Sequence, residues 1–319
     1  MKFHTFIVHI LQKMQDMMGD EAEVSLQEIV KNNGVVLTGL TFTRKNINIS
    51  PTIYLEDFYE KYEEGKETED IMEEIKEIYE RSKIEQDINM DFFTNYTNAK
   101  NSIVYKLIHY DKNRDLLKTV PHRKYYDLAI VYYYLVDMKE FANATIMIHN
   151  KHAENWGVTE KDLYKMACVN SPKLLEPIFR GMLDILRELT EEGYIYKGNA
   201  EAEKQDAEER YDFEMEICRA FDDTGMYVLG NVSGLYGAAV ILYPGILEKC
   251  GDYFAKNFFI LPSSVHEVIL VPDSGQISAE KLQEMVSEVN ETQLEEQEYL
   301  SDSVYYFNVE TKGIVRLKY

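Results

Sequence analysis

Apolar positions along this chain repeat with two periods, and the switches between them mark out its elements. Phe3, Phe6, Ile7, Ile10, Leu11 and Met14, with Met17 or Met18, recur at helical spacing, and Gly19 suits the stop. The period then drops to two in Glu23 to Val30 and again in Val35 to Thr43, around Asn32-Asn33-Gly34. Asn and Gly accept positive φ at little cost, so this segment predicts a hairpin. After Ser50-Pro51, Leu55, Phe58, Tyr59 and Tyr62 share a helical face, Gly65 breaks it, and Ile71, Ile75, Ile78 and Tyr79 line a second helix. The glutamates between them form its wet side.

The middle of the chain predicts a short helix or connector over Asp87 to Tyr96 and strands over Ile103 to Tyr110, Leu128 to Val136 and Thr145 to Ile148. Thr159 caps a helix with Leu163, Met166 and Ala167 inside, which Pro172 ends or bends. Leu175, Ile178, Phe179, Met182, Leu186 and Leu189 read as an amphipathic helix. A strand returns at Met226 to Leu229, and a helix is expected over Ala238 to Lys249.

Phe258 to Leu261 and Val268 to Asp273 are short apolar runs rich in β-branched and aromatic residues, separated by a turn at Pro262-Ser263-Ser264, with His266 opening the second strand. Ile277 to Asn290 reads as a helix. Ser303 to Val309 and Gly313 to Leu317 make a terminal hairpin, expected to pair with the Phe258 and Val268 strands. The fold class is α+β, with mainly antiparallel sheets covered by helices and a small N-terminal α/β unit. The predicted division is a helix-hairpin-helix-helix unit over 1–86 and a larger α+β domain over 87–319, with an acidic insertion or linker near 197–216.

Charge and composition narrow the functions. The 319 residues carry a formal charge of −22, which argues against direct contact with a nucleic-acid backbone, where Lys and Arg must neutralise phosphates. The acidity supports solubility as an ordinary surface would; the sharper alternative is a nucleic-acid mimic, with carboxylates of 201–216 or 284–298 in a phosphate-like row. Cys168, Cys218 and Cys250 are odd in number and far apart, as expected in a reducing cytoplasm. The apolar N-terminus is interrupted by His4 and His9 with no cleavage site following, and no later run is long enough to cross a bilayer, so a cytoplasmic chain without membrane association is expected.

Candidate chemistry is sparse. Ser263, Ser264, His266 and Glu267 invite a nucleophile-and-base reading, although neighbours on a strand alternate faces and catalytic triads are assembled from distant residues. His149 and His152, with Glu154, raise a metal; on a helix the two histidines would share a face, but as the end of the Thr145 strand they point apart. His122 lies in the basic stretch Val120 to Lys124, either an anion contact or a strand-entry loop balancing carboxylates. Gly230 to Gly237 fails the GxGxxG, GxSxG and GxxxxGK[ST] templates, so no cofactor is expected. Tyr126, Tyr132, Tyr133 and Tyr134 line a groove or, as amphipathic rings do, bury their bodies and keep wet hydroxyls.

Gly237 to Pro244 and Phe259 to Val268, with Val30 to Val35, Ile49 to Leu55, Val120-Pro121-His122, Asp127 to Ala129, Asn150 to His152 and Trp156 to Val158, resemble an uncharacterised bacterial domain-of-unknown-function family over nearly the whole chain. The Trp156-Gly157-Val158 entry with Leu163, Ala167 and Asn170 is more distantly similar to YtpQ-type proteins. The resemblance implies a bacterial cytosolic protein and supplies no catalytic residue. The expectation is a non-catalytic binding or regulatory protein with a protein partner; a hydrolase-like or ligand-binding enzyme, requiring His122, His149, His152, Ser263, Ser264, His266 and Glu267 to converge in some combination, and the mimic are the alternatives.

Overall fold

The computed structural model describes residues 1–45, 47–48, 50–83, 91–136, 145–185, 225–262 and 264–318. The expected insertion near 197–216, Cys218 and Ser263 lie outside them. The chain divides into two compact units, Met1–Thr94 and Asn95–Tyr319. Its sheets are antiparallel and its helices pack with them, an α+β fold.

In the first unit, α1 (Phe3–Met18) buries Phe6, Ile10, Met14 and Met18, the stripe predicted by its spacing. β1 (Glu23–Val30) and β2 (Val36–Thr43) pair antiparallel across a turn in which Asn33 and Gly34 have φ of 61° and 75°. Only a residue tolerant of the left-handed region closes this hairpin cheaply. β3 (Thr52–Tyr54) adds to β2, and α2 (Glu56–Glu63) and α3 (Thr68–Ser82) follow. Phe42 packs against Tyr79 with ring centres 4.6 Å apart and the planes tilted by 30°, within a core that also takes Leu40, Leu55, Ile71 and Ile75.

Two short helices follow, α4 (Asp91–Thr94) closing the first unit and α5 (Tyr96–Ala99) beginning the second. A four-stranded sheet follows: β4 (Ile103–His109), β5 (His122–Tyr125), β6 (Leu128–Leu135) and β7 (Thr145–Met147), with α6 (Arg114–Leu117) between β4 and β5. β4 and β6 are buried almost throughout, which explains their continuous apolar runs. The Val120 to Lys124 stretch is therefore half strand, since β5 starts at His122. α7 (Asn150–Trp156) and α8 (Glu160–Leu174) follow. α8 runs on through Pro172 to Leu174. Asn170 Nδ2 donates to Lys100 O and Ile103 O, and Ser171 Oγ accepts from Tyr105 N, so tertiary bonds hold the final turn that the proline weakens.

A six-stranded sheet in the order β13-β12-β10-β11-β9-β8 completes the unit. It contains β8 (Pro177–Gly181), β9 (Tyr227–Asn231), β10 (Phe258–Leu261), β11 (Val268–Pro272), β12 (Tyr305–Asn308) and β13 (Gly313–Arg316). Three expectations are corrected here. Leu175 to Gly181 is not helical: β8 pairs Ile178 with Gly230 and Phe179 with Leu229, and a short apolar run fits either period until a partner strand decides it; Met182 begins a helical stretch, and Leu186 and Leu189 lie outside the described residues. The helix expected over Ala238 to Lys249 is a 3-10 stretch at Gly237–Leu242 and a separate α9 (Ile246–Phe254). Pro244 keeps Tyr243 extended, with ψ 133°, and Gly245 turns at φ 75°. The terminal hairpin pairs with the Phe258 strand alone, because β11 is already held between β10 and β9. α10 (Ala279–Thr292), capped by Ser278 Oγ accepting from Lys281 N, buries Leu282, Val286 and Asn290.

Candidate functional site

The loop after β9 is shaped by one buried asparagine. Asn231 Oδ1 accepts from Ser233 N (3.1 Å) and Ser233 Oγ (2.8 Å), while Asn231 Nδ2 donates to Leu235 O (2.7 Å). The chain leaves this turn through Tyr236 at φ 53° and reaches Gly237, where a Cβ would lie 2.2 Å from His266 O. Glycine is thus required by the close approach of a second loop.

That second loop carries the serine and histidine candidates. His266 is not in a strand; β11 begins two residues later, at Val268. Its Nδ1 lies 2.9 Å from Gly234 O, so Nδ1 carries the proton and donates, because a carbonyl oxygen only accepts. Nε2 is 3.6 Å from Glu298 Oε1, and the ring lies parallel to Tyr236 at 6.2 Å. The Ser264 hydroxyl is buried, accepts from His266 N at 3.0 Å and lies 3.4 Å from Glu267 Oε1. Hydroxyl and imidazole thus have different partners: Ser264 bonds the backbone of His266, while the ring turns to Gly234. Beyond Tyr236, the ammonium of buried Lys106 sits 4.2 Å from the Tyr236 ring and 4.7 Å from that of Tyr133.

The other histidines stand elsewhere, with different neighbours. His122 Nδ1 is 3.1 Å from Val120 O, and its ring faces Tyr110 at 6.2 Å. His149 and His152 are not at a strand end. His149 precedes α7 and His152 lies in its first turn, because β7 stops at Met147. Their rings are 5.7 Å apart, but His152 Nδ1 accepts from His149 N at 3.1 Å and the backbone of Met147 engages the same imidazole. Burial, then the neighbouring His149, holds His152 below the ordinary histidine value. Among the described residues, no group of three or more His, Cys, Asp or Glu side chains is placed to hold a metal.

The arginine of the basic stretch is neutralised locally. Arg123 Nε and Nη2 each donate at 3.1 Å to Glu160, whose Oε1 also accepts from Tyr132, and the guanidinium lies 3.8 Å from the Tyr164 ring centre. Lys124 covers Tyr110 at 4.4 Å. Asp127, at the turn between β5 and β6, collects three hydroxyl donors. Ser301 Oγ (2.6 Å), Ser303 Oγ (2.8 Å) and the Tyr305 hydroxyl donate to it, and Arg316 Nε is 3.5 Å away. Burial pushes its pKa up, but those donors and the guanidinium outweigh burial and hold it below the usual carboxylate value.

An exposed aromatic patch lies at the β8 edge of the large sheet. Phe179 pairs with Leu229, which makes Tyr227 its diagonal neighbour on the same face, and the two rings stack at 5.1 Å and 5°. Tyr253 and Phe254 from α9 close on them, Tyr253 edge-on at 5.3 Å from Phe179 and 5.7 Å from Tyr227. Phe258 backs Phe254 at 5.3 Å. Tyr253 nevertheless keeps 65% of its surface exposed. Burial, then the hydrogen bond and charge of Tyr253, raises the Tyr227 hydroxyl. Sequence reasoning missed this patch because Phe179 was assigned to a helix. The Tyr253-Phe254 pair at the end of an amphipathic helix was the available signal.

A family model described as Family of unknown function (DUF5688) matches residues 3–309, and the chain belongs to that family. The likeness to YtpQ-type proteins is not shown by this match. No curated protein and no solved structure matches the chain. Among the described residues no helix is long and apolar enough to cross a membrane.

Proposed function

Taking the chain as a member of a family without an assigned activity, we propose that it is a non-catalytic bacterial cytoplasmic protein that binds a basic protein partner. The observation that carries this reading is the aromatic patch of Phe179, Tyr227, Tyr253 and Phe254, with Tyr253 65% exposed at a sheet edge. Tyrosine anchors are over-represented among the residues that dominate protein interfaces. The partner chemistry follows from charge. A chain of net charge −22 attracts basic surfaces, and its own tyrosine rings already receive Arg123, Lys112 and Lys124 on their faces. An arginine or lysine side chain of a partner fits Tyr253 in the same way. Separate engagement of Ser264 and His266 supports binding over nucleophilic catalysis, and the cysteine usage supports the cytoplasm.

The test uses the immobilised full chain and Tyr253→Ala in the native lysate, followed by reconstitution with the purified captured protein. The expected result is a basic protein that binds the wild-type chain more weakly as salt rises and at least about tenfold more weakly in the variant. Equal binding by both chains, or no protein that rebinds after purification, overturns the proposal.

A further inference from the structure

α10 packs its inner face, Leu282 and Val286, over the large sheet, but the packing leaves a space of about 80 Å³. Among the described residues it is lined by Met226, Leu261, Ile269, Met285, Val286 and Val289, with Asn290 as the polar member. Asn290 is 9% exposed, and its Nδ2 donates to Ser301 O at 3.1 Å and Asp302 Oδ1 at 2.9 Å. Both partners can only accept, which fixes which end of the amide is nitrogen. The remaining carbonyl oxygen, Oδ1, is buried with no hydrogen-bond partner. A buried acceptor left unmade is costly, so native structures keep few of them.

We infer that this cavity binds a small, mainly apolar molecule carrying one hydrogen-bond donor, an alcohol or phenol, with its body among Met226, Ile269 and Met285 and its hydroxyl reaching Asn290 Oδ1. The unliganded packing covers that oxygen, and the flexible methionines give way to admit the hydroxyl. Water is a poor alternative occupant, because an ordered water needs two to four polar partners and the rest of this lining is hydrocarbon and thioether. The space is about half of an engineered apolar cavity of about 150 Å³ that holds benzene, so it encloses only part of a phenol as it stands and the rest must come from the lining and the open side. Two features add room: the methionines are unbranched and adaptable, and Val289, 42% exposed, marks the open side. This inference uses no residue of the Tyr253 patch and does not depend on the interaction reading.

The full chain, labelled with 13C at its methionine methyl groups, is titrated with phenol and separately with toluene, which has a similar shape and no donor. Saturable shifts of the Met226 and Met285 methyls with phenol, and binding of toluene at least about tenfold weaker, are expected. Val289→Phe at the rim should abolish the phenol shifts while leaving methionines of the first unit, such as Met14, unmoved. No saturable shift at Met226 and Met285, equal binding of both probes, or undiminished phenol binding by the variant overturns the inference. The comparison of probes on the wild-type chain decides it even where the variant does not fold.

Discussion

Two regions of the second unit invert the usual relation between residue type and role. The Ser264 to His266 turn contains the side chains that chemistry favours, and each of them bonds to backbone: Ser264 to His266 N, His266 to Gly234 O. The Tyr253 patch contains residues that packing favours, and its outermost ring faces solvent. The difference lies in what each side chain finds. Polar side chains beside unpaired backbone groups are drawn into bonding them, as Ser264 does at the part-buried His266 N and the His266 ring does at the exposed Gly234 O. The cost of an orphaned group makes such a bond most valuable where water is excluded. A tyrosine ring at a sheet edge has no such obligation and can remain outside.

The sharpest test of the first half of that contrast is Gly237→Ala. A Cβ there would lie 2.2 Å from His266 O, 2.9 Å from Asn231 N and 3.0 Å from Gly230 Cα, all backbone atoms that cannot rotate away. A loss of about 4 kcal/mol or more is expected, at the extreme of single substitutions. The readout is a urea transition followed by fluorescence of Trp156, the chain's single tryptophan, which lies in the second unit. An unchanged midpoint would mean that the two loops are not laced together.

Asp127→Ala comes next. It strands the hydroxyls of Ser301, Ser303 and Tyr305 and leaves Arg316 without this carboxylate, for an expected loss of about 3 kcal/mol by the same measurement. The pH dependence has a definite sign. Asp127 is held below its ordinary value, so its contribution is complete above the unfolded value of about 3.9 and disappears as pH falls through the lower folded value. His109 is also held low, by burial first, so its contribution is complete above about 6.5 and fades as pH falls through its folded value. Wild-type urea midpoints should therefore decline in two steps on acidification. Asp127→Ala should shrink the lower step, to which Glu74, Asp111 and other lowered carboxylates also contribute, and move the upper one further down, because the Asp127 charge favours protonated His109.

The elements written in local chemistry were legible. Asn33-Gly34 announced the first hairpin through its tolerance of positive φ, and the Phe258 and Val268 runs announced β10 and β11 through composition. The failures came where a distant partner decides. Leu175, Ile178, Phe179 and Met182 satisfy helical spacing, and only the pairing of Ile178 with Gly230 and of Phe179 with Leu229, across a long stretch of chain, makes the middle two part of a strand. His149 and His152 were assigned by extending β7 too far. The break at Pro244 could have been read, since a residue before proline resists the helical region. Asp127 carried no local signal; its donors lie in the last twenty residues of the chain.

Ser264→Ala probes the same turn more gently. It removes an acceptor from His266 N and a contact to Glu267 while leaving the backbone free to keep its course. About 1 kcal/mol is expected, the usual scale for a side chain that caps a backbone N–H. A loss near that of Gly237→Ala would mean that the hydroxyl, and not the glycine approach, holds the two loops.

Tyr253→Ser should have the smallest effect on stability and the largest consequence for the comparison. Tyr253 stacks edge-on against Phe179 and Tyr227, but with 65% of its surface in water it buries little area that serine would forfeit. Edge-to-face pairs at exposed positions contribute at the low end of their range, so a loss of about 0.5 kcal/mol is expected in the urea transition. If the midpoint instead falls as far as it does for Asp127→Ala, the ring is a structural member of the sheet edge. Tyr253 would then resemble Ser264 in role, and the contrast between an inward polar turn and an outward aromatic patch would collapse. A near-wild-type midpoint together with lost partner binding separates the two roles, because stability and recognition then respond to different residues.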